Sequence, residues 1–321
     1  LDLRLQRLTN LERLAIEKEY REVGRLIKEY KGILSSEEKL RAVIRREMLA
    51  IKEKYAVPRR TRLIQGEEEI VVSREDMIVV DDAIVALLEG GKIRRLPKRN
   101  FTAESIASEK PVFIMETQTD RRLRFFTSHG NCLIIGVDEL PEARLTAKAT
   151  NLNSLVQLEK GEEIVACFDE VKDDTLVFFT ALGNAKRTEG KEFDLRTKKT
   201  AAIALKDDDR VIAVEKQDET AGTVIMVSKG GMSIRFATDT VPVMGKGAGG
   251  VKCMKLDEGD RIIFAAQIAD EGEILTISDR GYAKRSLVFD YEIQGRNGKG
   301  LKTFDFKKNG SNGTAIAAAL Y

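Results

Sequence analysis

The sequence predicts a mainly β fold, a disc of five to six hairpin blades behind a helical arm, and three observations carry that reading. First, an apolar strand, a glycine turn and a short, often basic strand recur five times, as VALLEGGKIRR, RFFTSHGNCLII, VFFTALGNAKRT, IMVSKGGMSIRF and ILTISDRGYAKRS. Second, the turn glycines Gly91, Gly130, Gly183, Gly231 and Gly281 are 39, 53, 48 and 50 residues apart, a spacing on the scale of repeat architectures. Third, the first 57 residues follow helical apolar spacing instead of strand alternation. A lone hairpin cannot bury both of its faces, whereas several stacked radially can. The chain contains no Trp, which argues against a WD-type propeller.

Residues 1–57 read as helices. Leu3, Leu5 and Leu8 close a first segment. Thr9 with Glu12, and Ser35 with Glu38, have the capping-box form, and each precedes an apolar stripe: Leu11 through Leu34, then Leu40 through Tyr55. Pro58 ends the second. This pattern predicts an antiparallel arm or coiled-coil limb. Residues 58–75 form a linker, because Arg59, Arg60 and Arg62 give way abruptly to Glu67, Glu68 and Glu69. The blades occupy 76–321.

Composition excludes several function classes. No apolar run approaches the ~20 residues a membrane helix needs, and the first residues, LDLRLQRL, lack a secretory pattern, so a soluble intracellular protein without membrane partners is expected. Cys132, Cys167 and Cys253 are odd in number and widely spaced, and read as reduced thiols. His129 is the sole histidine, so no metal site and no His-based triad is expected, and Asp173, Asp174 and Asp207–Asp209 read as turn residues. Residues 1–65 carry 17 Lys and Arg against 10 Asp and Glu, net +7, leaving 37 against 42, net −5, on the remainder. Nucleic-acid binding by the blades must therefore rest on local patches.

Two recurrences supply such patches. Arg94 and Arg95, followed by Lys98 and Arg99, then Lys186 and Arg187, Arg235, and Lys284 and Arg285, stand in or near one slot after the turn glycine. Equal slots of a radial repeat face one rim, so the expectation is a basic track touching successive phosphates of a bent duplex without reading sequence. The plain alternative for each is an edge-strand charge that discourages aggregation. The second recurrence is Gly245, Lys246, Gly247, Gly249 and Gly250 against Gly295, Arg296, Gly298, Lys299 and Gly300. GKGAGG fits G-x-G-x-x-G, but the strand-like VKCMKL follows it where a dinucleotide site needs a helix, and no Walker motif is present. A tight loop whose N–H groups and cations approach a phosphate backbone is the better account. Turns with incidental charge are the alternative.

LDLRLQRLTNLE at 1–12 and RREMLAIKEKYAVPRRT at 45–61 resemble the end of the breakage–reunion domain of bacterial type IIA topoisomerase A subunits. LPEARLTAKATNLNSLVQL at 140–158 and MGKGAGGVKCMKLDEGDRI at 244–262 resemble that family's C-terminal β-pinwheel. The resemblance implies a homodimer of A subunits, an ATPase B subunit as partner, duplex DNA as substrate, ATP and Mg²⁺ used by the whole enzyme, and a cytoplasmic, nucleoid-associated location. It implies no catalytic residue and no cofactor in this segment, because the nucleophilic tyrosine lies in a domain that precedes it. Gyrase A subunits carry a Q-[RK]-R-G-G-[RK]-G box in the first blade, where this chain has RLPKRNFTAESIASEKPVF. A topoisomerase IV-like subunit that relaxes and decatenates is therefore favoured, with a gyrase A tail that wraps DNA as the alternative. A propeller-like protein-interaction module on a helical stalk is the alternative of another class.

Overall fold

The computed structural model describes residues 10–57, 61, 78–102, 106–107, 109–142, 148–206, 208–307 and 309–321. The chain divides into two compact units, Leu1–Val71 and Val72–Tyr321. In the first, α1 (Asn10–Leu34) and α2 (Glu37–Tyr55) are joined through Ser35 and Ser36. The helices form where apolar spacing predicts, but the second cap differs. Ser36 is the N-cap and makes no side-chain cap, while the Ser35 hydroxyl donates back to Gly32 O at 3.2 Å. No residue of α2 is buried, and Tyr20, Tyr30, Met48 and Ile51 lie exposed, so the stripe is unsheltered within its own unit. Leu3, Leu5, Leu8 and nearly all of the predicted linker fall outside the described residues.

Among its described residues, the second unit holds five antiparallel sheets. Blade one consists of β1 (Asp82–Leu88), β2 (Lys92–Pro97), β3 (Pro111–Gln118) and a short strand, β6 (Thr150–Asn151), in the order β3-β1-β2-β6. Blade two follows with β4 (Arg122–Thr127), β5 (Asn131–Gly136), β7 (Ile164–Phe168) and β10 (Lys199–Ala201). In blade three the strands are β8 (Thr175–Thr180), β9 (Asn184–Glu189), β11 (Val211–Lys216) and β14 (Val251–Lys252). Blade four has β12 (Thr223–Ser228), β13 (Met232–Ala237), β15 (Ile262–Ile268) and β18 (Leu301–Lys302). Blade five has three strands, β16 (Glu273–Ser278), β17 (Ala283–Leu287) and β19 (Ala315–Leu320).

The fourth strand of each complete blade comes from the next repeat. β6 follows the hairpin of blade two yet pairs with β2 of blade one, and β10, β14 and β18 do the same one repeat further on. The turn glycines make this exchange possible. Gly183 has φ +79°, its N–H donates to Thr180 O, and its own carbonyl accepts from Cys253 and Met254, the two residues directly after the visiting strand. A Cβ there would stand 3.0 Å from Met254 O, and at Gly231 only 2.4 Å from Phe304 O. Glycine is needed both for the left-handed turn and for the close crossing. Four of the five turns share a further device. The hydroxyls of Thr127, Thr180, Ser228 and Ser278 accept from the backbone N–H four residues on, and the first unit has Leu88 at that place.

Successive blades enclose separate cores. Val85, Leu87, Phe125 and Leu133 lie between blades one and two, Val177, Met226 and Phe236 between three and four, and Ile225, Ile268 and Ile274 between four and five. Between two and three, Phe126 meets Phe178 at 5.5 Å and Phe193 at 5.1 Å, both edge to face, a geometry that adds to area burial. The other face of blade one is covered by its own chain, with Ile106 and Phe101 on Ile84, Ala86 and Leu96.

Candidate nucleic-acid interface

The recurrent basic slot is real, but much of it faces inward. Arg235 is 5% exposed. Its guanidinium donates to Val288 O and Tyr291 O beyond the hairpin of blade five, to Ala269 O, and to Asp270 at 2.5 Å. Half-buried Arg187 makes the equivalent tie from blade three to blade four, donating to Val241 O at 2.6 Å and Asp239 O. Arg95 does so from blade one to blade two, donating to Val137 O with Glu142 beside it. These side chains latch each blade to the turn that follows the next hairpin, because buried carbonyls left by short helical turns need donors.

Unit two has Ile134 in this slot, and the arginine sits across the hairpin from it. Arg124 pairs in register with Ile134, as Val177 does with Arg187 and Ile225 with Arg235. From that mirrored place Arg124, 4% exposed, donates to Phe193 O and Asp169 O and meets Asp194. The sequence reading missed Arg124, although RLRFF is the only first strand of the five units with a cation six residues before the turn glycine.

The other expected residues divide similarly. Arg94 is 4% exposed and paired with Glu109. Lys186, with no exposure, donates to Gly245 O and Lys246 O. Arg94, Lys186 and Arg235 are therefore interior groups, a correction to the expected outward track: inner blades are covered on both faces by their neighbours, and blade one is covered by its own chain on the face away from blade two. Lys98 is exposed and hydrogen-bonded to Glu116, which raises its pKa, and Arg99 borders a cleft of about 450 Å³ with Asp81, Asp82 and Glu142. In blade five, Lys284 and Arg285 are exposed. Lys284 donates to Thr303 O, and Arg285 pairs with Glu273 and lies over the Tyr321 ring.

Both glycine loops do reach the surface, and backbone bonds align them. Ala204 N–H donates to Ala248 O, Lys255 N–H to Gly298 O at 2.8 Å, and Asn297 N–H to Cys253 O. The loops and the visiting strands thus alternate along one ridge. Lys246 and Arg296 are half-buried on it and Lys299 is exposed, paired with Asp257. Three exposed lysines of the visiting strands, Lys199, Lys252 and Lys302, join the same ridge and were not foreseen. VK and LK after each glycine run were the available signal, but two-residue strands show no periodicity.

His129 has neighbours after all. Its Nδ1 stands 3.4 Å from Glu159, and the ligand atoms of His129, Glu159 and Glu162 lie within 4.8 Å of one another. Protein donors already hold these carboxylates: Lys199 on Glu159, and Thr127, Asn131 and Glu159 N–H on Glu162. Burial pushes the thiol of Cys132 up to about 12 and that of Cys253 to about 11, with Arg296 opposing the latter. Both are expected to resist a disulfide dye at pH 8 while folded and to react in denaturant. Rapid modification of the native chain would contradict their burial.

Comparison with known proteins places this arrangement. The model of the DNA gyrase C-terminal domain, beta-propeller, matches residues 125–168, 174–218, 222–269 and 272–312, one match for each hairpin after the first. The DNA gyrase A subunit of Lawsonia intracellularis is 33% identical over 337 residues, covering 99% of this chain and 40% of that protein. Its counterpart in Clostridium acetobutylicum is 35% identical over 323 residues, covering 95% and 38%, and that of Haloquadratum walsbyi is 32% identical over 332 residues, covering 97% and 38%. The chain therefore spans about two fifths of the length of these curated relatives. Among solved structures, the C-terminal domain of DNA topoisomerase IV shares the fold with a TM-score of 0.69 at 24% identity, covering 76% of this chain and 79% of that one. The E. coli ParC C-terminal domain aligns with a TM-score of 0.61 at 13% identity, covering 75% and 99%.

Proposed function

The chain belongs to the DNA gyrase C-terminal domain family, and from that membership we propose that the glycine-loop ridge holds and bends duplex DNA for a type IIA topoisomerase A subunit. The observation that carries the reading is the ridge itself. Two loops with left-handed Gly250, Asn297 and Gly300 bring backbone close to the surface, flanked by Lys246, Lys252, Arg296, Lys299 and Lys302. Amides and cations spaced along a line suit phosphates, and no described element of the blades has the form of a helix that enters a major groove, so binding is to shape and charge. The latch arginines are committed to carbonyls and are at least half-buried, which leaves the exposed Lys98, Arg99, Lys284 and Arg285 as the remaining contacts on the edge.

In the whole enzyme this segment works with a homodimeric A subunit, an ATPase partner subunit, ATP and Mg²⁺, in the cytoplasm at the nucleoid. The chemistry of strand cleavage lies with residues outside it. Replacing Lys246, Lys252, Arg296 and Lys299 together with Ala is expected to lower the slope of log K against log salt by about 0.9 for each phosphate no longer neutralised. Filter binding of a linear duplex at several salt concentrations measures this. An unchanged slope removes the ridge from the DNA path, and a chain that binds no duplex at low salt is an interaction module instead.

A topoisomerase IV-like activity is the finer reading. The segment after β2, where the gyrase box would fall, turns at Lys98–Asn100 and then packs Phe101 and Ile106 onto blade one. That stretch serves as a lid over apolar surface, and no glycine loosens it between Gly91 and Gly130. The holoenzyme is expected to relax and decatenate DNA without introducing negative supercoils. The names of the curated relatives favour gyrase, and a relaxed plasmid that emerges negatively supercoiled after incubation with ATP would decide for it.

A further inference from the structure

We propose that Lys186 and Glu192 are positioning residues that preset the Gly245–Gly250 loop for a phosphate backbone. The proposal rests on the DNA-binding reading above and adds to it the source of the loop's geometry. Lys186 Nζ donates to Gly245 O at 3.1 Å and Lys246 O at 3.0 Å, and lies over the Phe178 ring at 5.3 Å. Glu192, in the helical turn after β9, accepts from Lys246 N–H at 2.7 Å. A cation and a carboxylate thus grip the carbonyl and amide sides of the same loop. In a trans peptide the C=O and the next N–H point opposite ways, so the Gly245 carbonyl held by Lys186 aims Lys246 N–H at Glu192, and the Lys246 carbonyl held by Lys186 turns Gly247 N–H away from the grip. The gripped segment also carries Lys246 on its surface, and Glu192 fixes the backbone from which that side chain extends.

The blade has no packing need for an ammonium here. Ile234 occupies the same place after the turn glycine of the next unit, fully buried, so an apolar side chain satisfies the fold. Both loops share one backbone bond to their hairpin, Met244 N–H on Arg187 O and Gln294 N–H on Arg235 O, and the loop of the next unit adds Asn297 N–H on Cys253 O where this one has the Lys186 ammonium. Burial holds Lys186 down to about 8, with Glu192 opposing, so the buried charge is a cost to the fold. Retaining a costly cation where isoleucine suffices is intelligible if its work is done in the loop.

The test uses Lys186→Met and Glu192→Ala in the whole chain, with a linear duplex as probe. Lys186→Met is expected to speed amide exchange across residues 246–250 and weaken duplex binding about tenfold, the factor one charge-assisted hydrogen bond carries. The salt slope should stay as in the parent, because every phosphate contact is kept. A slope lower by about 0.9 would instead make Lys186 itself a phosphate contact and overturn the proposal. Glu192→Ala separates position from charge. Removing a carboxylate beside a polyanion strengthens binding by charge alone, whereas loss of the grip weakens it, so tighter binding sinks the idea. Unchanged exchange in either variant does so too. If the parent chain binds no duplex, the function reading fails, and the exchange measurement still judges the grip.

Discussion

Arg235→Ala is expected to destabilise the blade unit by about 3–5 kcal/mol, because it strips a desolvated guanidinium from its carbonyl partners at the blade four and five junction. For a unit of this size that corresponds to a melting midpoint lower by about 10 °C. Val288 O and Tyr291 O lie where water cannot replace the donor without opening the junction, and Arg235 is 5% exposed. Arg124→Ala should behave alike, since it serves the junction of blades two and three from the opposite strand. Arg285 occupies the equivalent place in blade five, but its side chain is 58% exposed and its partner, Glu273, lies on the adjacent strand. Its removal should be nearly silent. Calorimetry of the three variants is the check, and equal losses at Arg235 and Arg285 would mean the latches do not act between blades. Exchanging Arg124 and Ile134 offers a stricter version, because the result has the orientation that units three and four already use.

Gly300→Ala is expected to cost as much, about 4 kcal/mol, the range reserved for changes that force backbone apart. Gly300 has φ +77°, and a Cβ on it would lie 2.0 Å from Ser233 O and 2.6 Å from Ser233 C. No side chain can swing aside there; β13 or the loop itself must move, and DNA binding should weaken along with stability. Gly281→Ala separates the two contributions. It shares the left-handed φ, +79°, but meets nothing within 4 Å, so only the conformational cost of about 1 kcal/mol remains. Gly247→Ala has neither obstacle and should leave stability unchanged. Denaturant midpoints of the three would test the order, and a Gly300 variant no worse than Gly281 would show that the loop relaxes freely.

The hairpins were legible because their chemistry is local. Thr180 with Gly183, or Ser228 with Gly231, writes a turn within four residues, and the strands on either side carry their own apolar runs. VKCMKL was legible as strand-like, but the exchange of fourth strands between repeats was not, because Val251–Lys252 finds its partner in β9, more than sixty residues earlier, and two residues carry no period. The basic slots show a subtler limit. Their recurrence was correctly seen and signals a shared environment, but side chains at successive strand positions point to opposite faces, and in an inner blade both faces are covered. Arg235 could not be distinguished from Arg285 without knowing which blades had neighbours, nor Arg94 from Lys284 without the segment that covers blade one. The exchange of Arg124 and Ile134 hid one latch entirely, since the chemistry was kept while the slot was not. The glycine loops, judged by the close approach their residues permit, were placed correctly at the surface.

Because each repeat closes the sheet before it, the order of loss on unfolding has a direction. When a repeat melts, the blade upstream forfeits its edge strand and the carbonyl acceptors of its arginine, while the blade downstream loses a packing face but keeps all its strands. Cooperativity in such an array is asymmetric, and disorder that starts in one repeat travels more easily toward the N-terminus than away from it. Domain boundaries drawn between blades would cut every unit at the wrong place: the exchangeable cassette in this chain is a hairpin together with the short strand it lends backward.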